Sequence, residues 1–344
     1  MKTAPSICIL RLSAIGDVCH TLAVVQAIQR QYPKAEITWI IGKTEAALMQ
    51  GIPNVTLIPY DKKSGWKGIF TLWKQLRNKR FDFLLNLQTA FRASILSLGI
   101  KAKTKVGFNK DRAREGQWLF TNFKVEQTAC PHVLDGQMMF AKAIGVTDLS
   151  AQWNLPVSQF DLDYAAQFLD KNRQNLLIAP CSSKKEKDWQ PENYAEIAKF
   201  VAEHDIHVIV CGSAADYEME TAAKIQQLAP NCRNIAGKTN LKQLAGLIRQ
   251  VDLVLSSDSG PAHIATTQHT PIIGLYAIHN PRRTGPYQDL DKVVSVYDQA
   301  IEQSYGKSWD KLPWATKAKG KAWMKLITVD AVKQKVIESL GIKR

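Results

Sequence analysis

Three short turns carry residue types that could do chemistry on an anionic ligand. The first, Ser13-Ala14-Ile15-Gly16-Asp17, follows an apolar run at 7–12 and opens a helical pattern over 18–31. A helix start offers unpaired N–H groups and partial positive charge, and Gly16 permits close backbone approach. Asp17 has two readings: a helix cap, or a general base. A helix start also favours the ionised carboxylate, so such a base would take its proton late, as the attacking hydroxyl turns acidic. The second turn, Ser182-Ser183-Lys184-Lys185-Glu186-Lys187-Asp188-Trp189, follows the apolar run 176–179. Its hydroxyls and Lys187 could hold a diphosphate, the ammonium neutralising a leaving group. A solvated polar loop is the plain alternative. The third, Ser256-Ser257-Asp258-Ser259-Gly260-Pro261-Ala262-His263, is a strand end running into a helix. Ser259 and Gly260 would make a second anion site, Pro261 suits a first helical turn, and Asp258 could accept bonds from sugar hydroxyls. His263, in that turn, is either a ligand contact or a structural histidine.

These turns need elements to position them. Apolar runs at 7–12, 37–41, 83–87 and 104–107, and again at 176–179, 207–211, 253–256 and 271–275, alternate with helical patterns. Strands apolar throughout, separated by helices, predict parallel sheets covered on both faces. The pattern restarts near residue 175, after a segment at 152–160 containing Pro156. The fold class is therefore α/β, with two Rossmann-like doubly wound domains, 1–160 and 161–325, expected to face a central cleft. A helix within 326–344 could pack back on the first domain. Ligands of such sheets bind beyond the carboxyl ends of strands, where all three turns lie.

The whole chain narrows the classes. Its 344 residues, 45% hydrophobic and 22% charged, suit two ordinary globular domains. Six scattered cysteines without a CxxC pair suit reduced thiols rather than a disulfide frame or zinc site. No signal-peptide pattern or run approaching the roughly 20 apolar residues of a membrane span is visible, so a soluble cytoplasmic protein is expected. A net charge of +14 draws anionic partners: phosphorylated substrates, an anionic membrane surface, or nucleic acid. No nucleic-acid-binding signature is present, so nucleic acid is not expected as a partner. No carboxylate cluster suits Mg²⁺ or Mn²⁺, and no metal or cofactor is expected. The first turn lacks GxGxxG, which disfavours a nicotinamide enzyme.

Two basic stretches mark the first half. Lys101, Lys103, Lys105, Lys110, Arg112 and Arg114 cluster around one strand and loop, and Arg92 opens a helix after another strand. Arginines there suit carboxylates and phosphates of an acceptor, or simply a charged surface. Between Lys62 and Arg80, Trp66, Ile69, Phe70, Trp73 and Leu76 recur at helical spacing among lysines and arginines. That helix either rests on anionic lipid or buries its stripe on the sheet. Trp314 and Trp323, among lysines at 311–325, pose the same choice.

At the three turns the sequence resembles the family 9 glycosyltransferases, the bacterial ADP-heptose:lipopolysaccharide heptosyltransferases. The matching pieces are Leu10-Arg11-Leu12-Ser13-Ala14-Ile15-Gly16-Asp17-Val18, the loop from Ser182 to Trp189, and Asp258 to His263, with weaker echoes at Leu87-Gln88, Gly107-Phe108 and Gly285-Pro286-Tyr287. The likeness is greatest to the branch that adds the first heptose to Kdo. The resemblance implies a GT-B fold and inverting, metal-independent transfer of L-glycero-D-manno-heptose from ADP-heptose to the Kdo of Kdo–lipid A in the lipopolysaccharide inner core. It implies work at the cytoplasmic face of the inner membrane. By position it makes Asp17 the base, and Ser182, Ser183 and Lys187 the holders of the donor diphosphate. Asp258, Ser259, Gly260 and His263 would hold diphosphate and heptose, Asp216 or else Glu218 the ribose, and Lys238 and Thr239 the adenine. Ser13, Gly16, Arg92, Arg112 and Arg114 are the acceptor candidates. This chain departs from the family with serines for two threonines and Asn86 for an aspartate. Alternatives are another nucleotide sugar or a later core acceptor, or a basic lipid- or nucleic-acid-binding protein without enzyme activity.

Overall fold

The computed structural model describes residues 4–320 and 322–342, so Lys321 of the basic stretch lies outside the described residues. The chain divides into two compact units at Pro156/Val157, just ahead of the expected boundary at 160.

In the first unit, strands β1 (Ser6–Leu10), β2 (Glu36–Gly42), β3 (Val55–Tyr60), β4 (Phe81–Asn86), β5 (Ala102–Gly107) and β6 (Phe123–Lys124) alternate with helices. Those helices are α1 (Ile15–Gln31), α2 (Lys43–Met49), α3 (Gly65–Leu76), α4 (Phe91–Leu98) and α5 (Val133–Ala143). The strands form one parallel sheet in the order β3-β2-β1-β4-β5-β6. Residues Ile7 to Leu10 of β1 are fully buried, as a central strand covered on both faces must be. Helix α1 packs against α5 and buries ten residues, from Val18 to Ile28.

The second unit repeats the plan. Helix α6 (Gln159–Ala166) leads into β7 (Asn175–Ala179), α7 (Pro191–Ala202), β8 (His207–Val210), α8 (Asp216–Leu228), β9 (Arg233–Asn234) and α9 (Leu241–Ile248). Then come β10 (Leu253–Ser257), α10 (Gly260–Gln268), β11 (Ile272–Tyr276), α11 (Pro281–Thr284), β12 (Val294–Ser295), α12 (Tyr297–Tyr305) and α13 (Val329–Leu340). Its parallel sheet runs β12-β11-β10-β7-β8-β9. Counted within its own unit, each sheet has the doubly wound order 3-2-1-4-5-6, which bears out the expected fold class. The order reverses between β1 and β4 in one sheet and between β7 and β10 in the other.

In helix α13, Val332, Val336 and Leu340 join the core that contains Trp189, Tyr194 and Leu275 of the second unit. Five of the six cysteines are buried and all six are free thiols. Among the described residues, no helix is long and apolar enough to cross a membrane.

Candidate active site

In the second unit, the residues singled out from sequence collect beyond the carboxyl ends of four adjacent strands. Ser182, Ser183 and Lys187 follow β7, Asp216 follows β8, Lys238 and Thr239 follow β9, and Asp258, Ser259, Gly260 and His263 follow β10. Parallel strands point their carbonyl ends one way, so loops far apart in sequence share an edge.

At the strand reversal, Lys187 and Asp258 are both buried. The Lys187 ammonium donates to the Asp258 carbonyl and lies 3.2 Å from its Oδ2. The same Oδ2 lies 2.5 Å from Nδ1 of His279, which comes from the turn after β11. Burial pushes the Asp258 carboxyl up, but the His279 hydrogen bond and the charges of Lys187, His279 and His263 outweigh it. The group stays well below the usual carboxylate range and is ionised. An ammonium, a carboxylate and the His279 imidazole thus meet beside the start of α10, which carries His263 and whose Ser259 cap places its Oγ 2.9 Å from Ser256 Oγ. Such a set can accept sugar hydroxyls at the carboxylate and meet phosphate charge with the ammonium and the helix start.

The loop after β7 is braced by its own residues and by Tyr217 of α8. Asp188 accepts from Ser182 N at 2.7 Å and from the Tyr217 hydroxyl at 3.1 Å, and Lys185 lies 3.9 Å over the Tyr217 ring. The Ser182 hydroxyl donates to the Lys184 carbonyl at 2.8 Å, while Ser183 is exposed. Glu218 accepts from Ser213 N at 2.6 Å, so its carboxylate closes the turn after β8. Asp216 opens α8 with its side chain exposed, which favours Asp216 over Glu218 as the acid that faces a ligand. The next turn is tied alongside: Gly237 N donates to Gly212 O at 2.9 Å, and the Tyr164 hydroxyl donates to the Lys238 carbonyl at 2.6 Å.

In the first unit, Asp17 stands in the first turn of α1, above the other strand reversal. Its Oδ2 accepts from Ala14 N at 3.2 Å, and it ion-pairs with Arg11. The guanidinium also donates to the Leu87 carbonyl beyond β4. Gln88 accepts from Leu12 N at 3.0 Å and Ser13 N at 3.3 Å, while Gln117 donates to the carbonyls of Asn86 and Gln88. Asp17 therefore caps its helix and still leaves its side chain 31% exposed. Cap and base are compatible at one residue. Ser13 and Gly16 are half-buried in the same turn. Asn86 is fully buried at the end of β4, beneath the turn and not on it.

The acceptor candidates separate. Arg112 is 8% exposed and donates to the carbonyls of Cys130 (2.5 Å) and His132 (3.2 Å). Burial lowers its guanidinium pKa. A Cβ on Gly136 would sit 1.8 Å from Arg112 Nη1, so the side chain fills the space a glycine leaves. Arg112 thus braces backbone carbonyls, which weighs against its reading as an acceptor contact. Arg114 is exposed, and Arg92 is exposed while donating to the Lys62 carbonyl. The lysines from Lys101 to Lys105 each have a partner within the chain. Lys103 pairs with Asp82 at 2.7 Å, and Lys101 and Lys105 donate to the carbonyls of Arg77 and Ser97, each at 2.8 Å.

Helix α3 divides its aromatic residues. Ile69, Leu72 and Leu76 are buried, and Trp73 donates to the Leu96 carbonyl at 3.0 Å, while Trp66 and Phe70 are 64% and 60% exposed. Reading by sequence missed Arg11, Gln88 and His279 as members of these sites. The signal for His279 was its place in a further turn after a strand end. Among the described residues, no group of three or more His, Cys, Asp or Glu is placed to hold a metal ion.

A family model described as glycosyltransferase family 9 (heptosyltransferase) matches residues 69–312. The chain is also 62% identical over 328 residues to the lipopolysaccharide core heptosyltransferase OpsX of Haemophilus influenzae, covering 95% of this chain and 94% of that one. The chain belongs to glycosyltransferase family 9. It is an enzyme, and the alternative of a basic binding protein without activity falls. Solved structures agree in fold. A family 9 glycosyl transferase from Veillonella parvula aligns with TM-score 0.79 at 22% identity, covering 98% of each chain. The Escherichia coli heptosyltransferase WaaC with ADP aligns with TM-score 0.76 at 18% identity, over 97% of this chain and 99% of that one. The same enzyme has also been solved with ADP-2-deoxy-2-fluoro heptose.

Proposed function

We propose that this family 9 enzyme transfers L-glycero-D-manno-heptose from ADP-heptose to the Kdo of Kdo–lipid A, with inversion and without a metal. The observation that carries the donor half is the buried Lys187 ammonium on Asp258 at the strand reversal, beside the start of α10. Charge developing on a departing diphosphate would meet Lys187 and the N–H groups near Ser259, in place of a divalent ion. Asp17 accepts the proton of the attacking Kdo hydroxyl as the new bond forms to the anomeric carbon and the bond to ADP breaks. Its partial exposure and its fixed carboxylate suit that role. The names of OpsX and WaaC support a heptose donor and a lipopolysaccharide core acceptor.

Asp216 is the proposed ribose contact, Lys238 and Thr239 the adenine side, and Ser13, Gly16, Arg92 and Arg114 the acceptor side. The exposed Trp66 and Phe70, with Lys67 and Lys74 beside them, suit an anionic membrane surface at which a lipid-linked acceptor is presented. The test is turnover with purified Kdo–lipid A in excess chelator, comparing ADP-heptose with UDP-sugars. Turnover with ADP-heptose alone, an inverted product linkage by NMR, and loss of turnover in Asp17→Ala and Lys187→Ala are expected. Equal use of UDP-sugars, or a rate restored only by Mg²⁺, would overturn the proposal.

A further inference from the structure

The segment after α12 has its own small core, built from Tyr297, Ala300, Ile301 and Ala318 with Trp309, Leu312 and Trp323 packed against it. Its tryptophans are half-buried and engaged within the chain. Trp323 donates to the Lys319 carbonyl at 2.5 Å, and Arg282 and Arg283 stack over Trp309 and Trp314 at 4.9 and 4.4 Å. The tip of this strap is fixed from three sides. Tyr297 and Tyr305 donate to the carbonyls of Thr316 and Lys317 at 2.9 and 3.0 Å, and Ala318 N donates to Ile278 O at 3.0 Å. Ile278 immediately precedes His279, the residue bound to Asp258.

The strap therefore carries Lys317 to the turn that completes the Lys187–Asp258–His279 set. Burial and the like charges of Lys184, Arg283 and Lys187 lower the Lys317 ammonium pKa, and Glu186 alone is felt in the other direction. Like charges gathered by a dedicated, internally packed segment repel one another unless an anion joins them. The neighbouring Arg283, stacked on Trp314, carries a planar guanidinium of the kind that recognises phosphate oxygens.

We infer that Lys317, presented by the strap alongside Arg283 and Lys184, is a further binding residue for the diphosphate of the nucleotide donor. This rests on the donor reading given above and adds a cation that none of the three sequence turns contains. Lys317 adds its charge to that of Lys187 and stays with the nucleoside diphosphate as it leaves.

The experiment is calorimetric titration of the full chain with ADP, AMP and adenosine, at low and moderate salt. Lys317→Ala should weaken ADP binding about tenfold or more, as loss of one charge-assisted contact does. Adenosine binding should be unchanged, the salt dependence of ADP binding should flatten, and Lys317→Arg should recover most of the affinity. Equal ADP affinity in Lys317→Ala and the unaltered chain would overturn the inference and leave the donor reading standing. So would equal losses for ADP and adenosine, because a displaced strap and not a missing cation would then be at work. Failure of the unaltered chain to bind ADP would remove the donor reading itself, and this inference with it.

Discussion

Arg11 grips Asp17 with a guanidinium whose side chain is only 10% exposed, and the same guanidinium is tied to the Leu87 carbonyl across the strand reversal. The acid is thereby fixed to the sheet and not merely to its own helix. A planar fork can serve a carboxylate and a carbonyl together, which a lysine ammonium does with less directional control.

Arg11→Lys should accordingly keep ADP affinity and lower kcat on the order of 100-fold, the cost of a small misplacement of a reacting group. Asp17→Asn should lower kcat by about 10²- to 10⁴-fold, again with ADP affinity unchanged. Steady-state kinetics with parallel ADP titrations check both. A matching loss of ADP binding in either variant would count against the assignment.

Asp258 predicts a pH dependence with a definite sign. Its folded carboxyl lies below the ordinary value of 3.8, against the effect of burial, because of His279, Lys187 and His263. The ionised group therefore stabilises the fold fully above that ordinary value, and the contribution is lost as pH falls from there through the lower folded value. The gap in unfolding free energy between the unaltered chain and Asp258→Asn should be constant at neutral pH and shrink below about pH 4. Chemical unfolding followed by tryptophan fluorescence across pH 2.5–7 measures it.

Arg112 and Arg114 should behave oppositely although two residues apart. Arg112→Ala removes a buried side chain and its bonds to the carbonyls of Cys130 and His132 and should cost about 2–4 kcal/mol of stability, read as a lowered unfolding midpoint. Arg114→Ala should leave the midpoint alone and raise KM for Kdo–lipid A. The reverse pattern would return Arg112 to the acceptor side.

For membrane binding, the informative pair on α3 is Trp66 and Phe70. Trp66→Ser with Phe70→Ser should reduce sedimentation with anionic vesicles about tenfold or more, since each exposed aromatic has roughly 1.5–3 kcal/mol to gain on burial. Trp73 is the wrong residue to change, because its indole is bonded to Leu96 and a Cβ on Gly99 would sit 2.2 Å from that ring. Unchanged vesicle binding in the double variant would leave α3 an ordinary surface helix.

The central strands were legible because strands covered on both faces must be apolar at every position, as Ile7 to Leu10 and Leu176 to Ile178 are. Strand β3 was not, since Val55 to Tyr60 alternates in burial and carries Pro59. Strands β6, β9 and β12 have two residues each, too few for any period. Asp17, Lys187 and Asp258 were legible from motif and strand-end position. The burial of Arg112 was not legible, because an arginine among surface lysines reads as solvated. Only the tertiary approach of Gly136 makes room to bury it. His279 escaped because its meaning arises from Asp258, 21 residues earlier in the chain.

The strand order of the second sheet gives protein engineers a natural seam. Turns after β7 and β10 supply Lys187 and Asp258, while turns after β8 and β9 supply Asp216, Lys238 and Thr239. Because Gly237 and Gly212 bond those last two turns to each other, residues 212–218 and 236–240 form a cassette. On the proposed donor reading, transplanting it as a pair, with Tyr217 kept for its bond to Asp188, would retune the choice of nucleobase while sparing the phosphate side, whereas transplanting either half alone would break its mate.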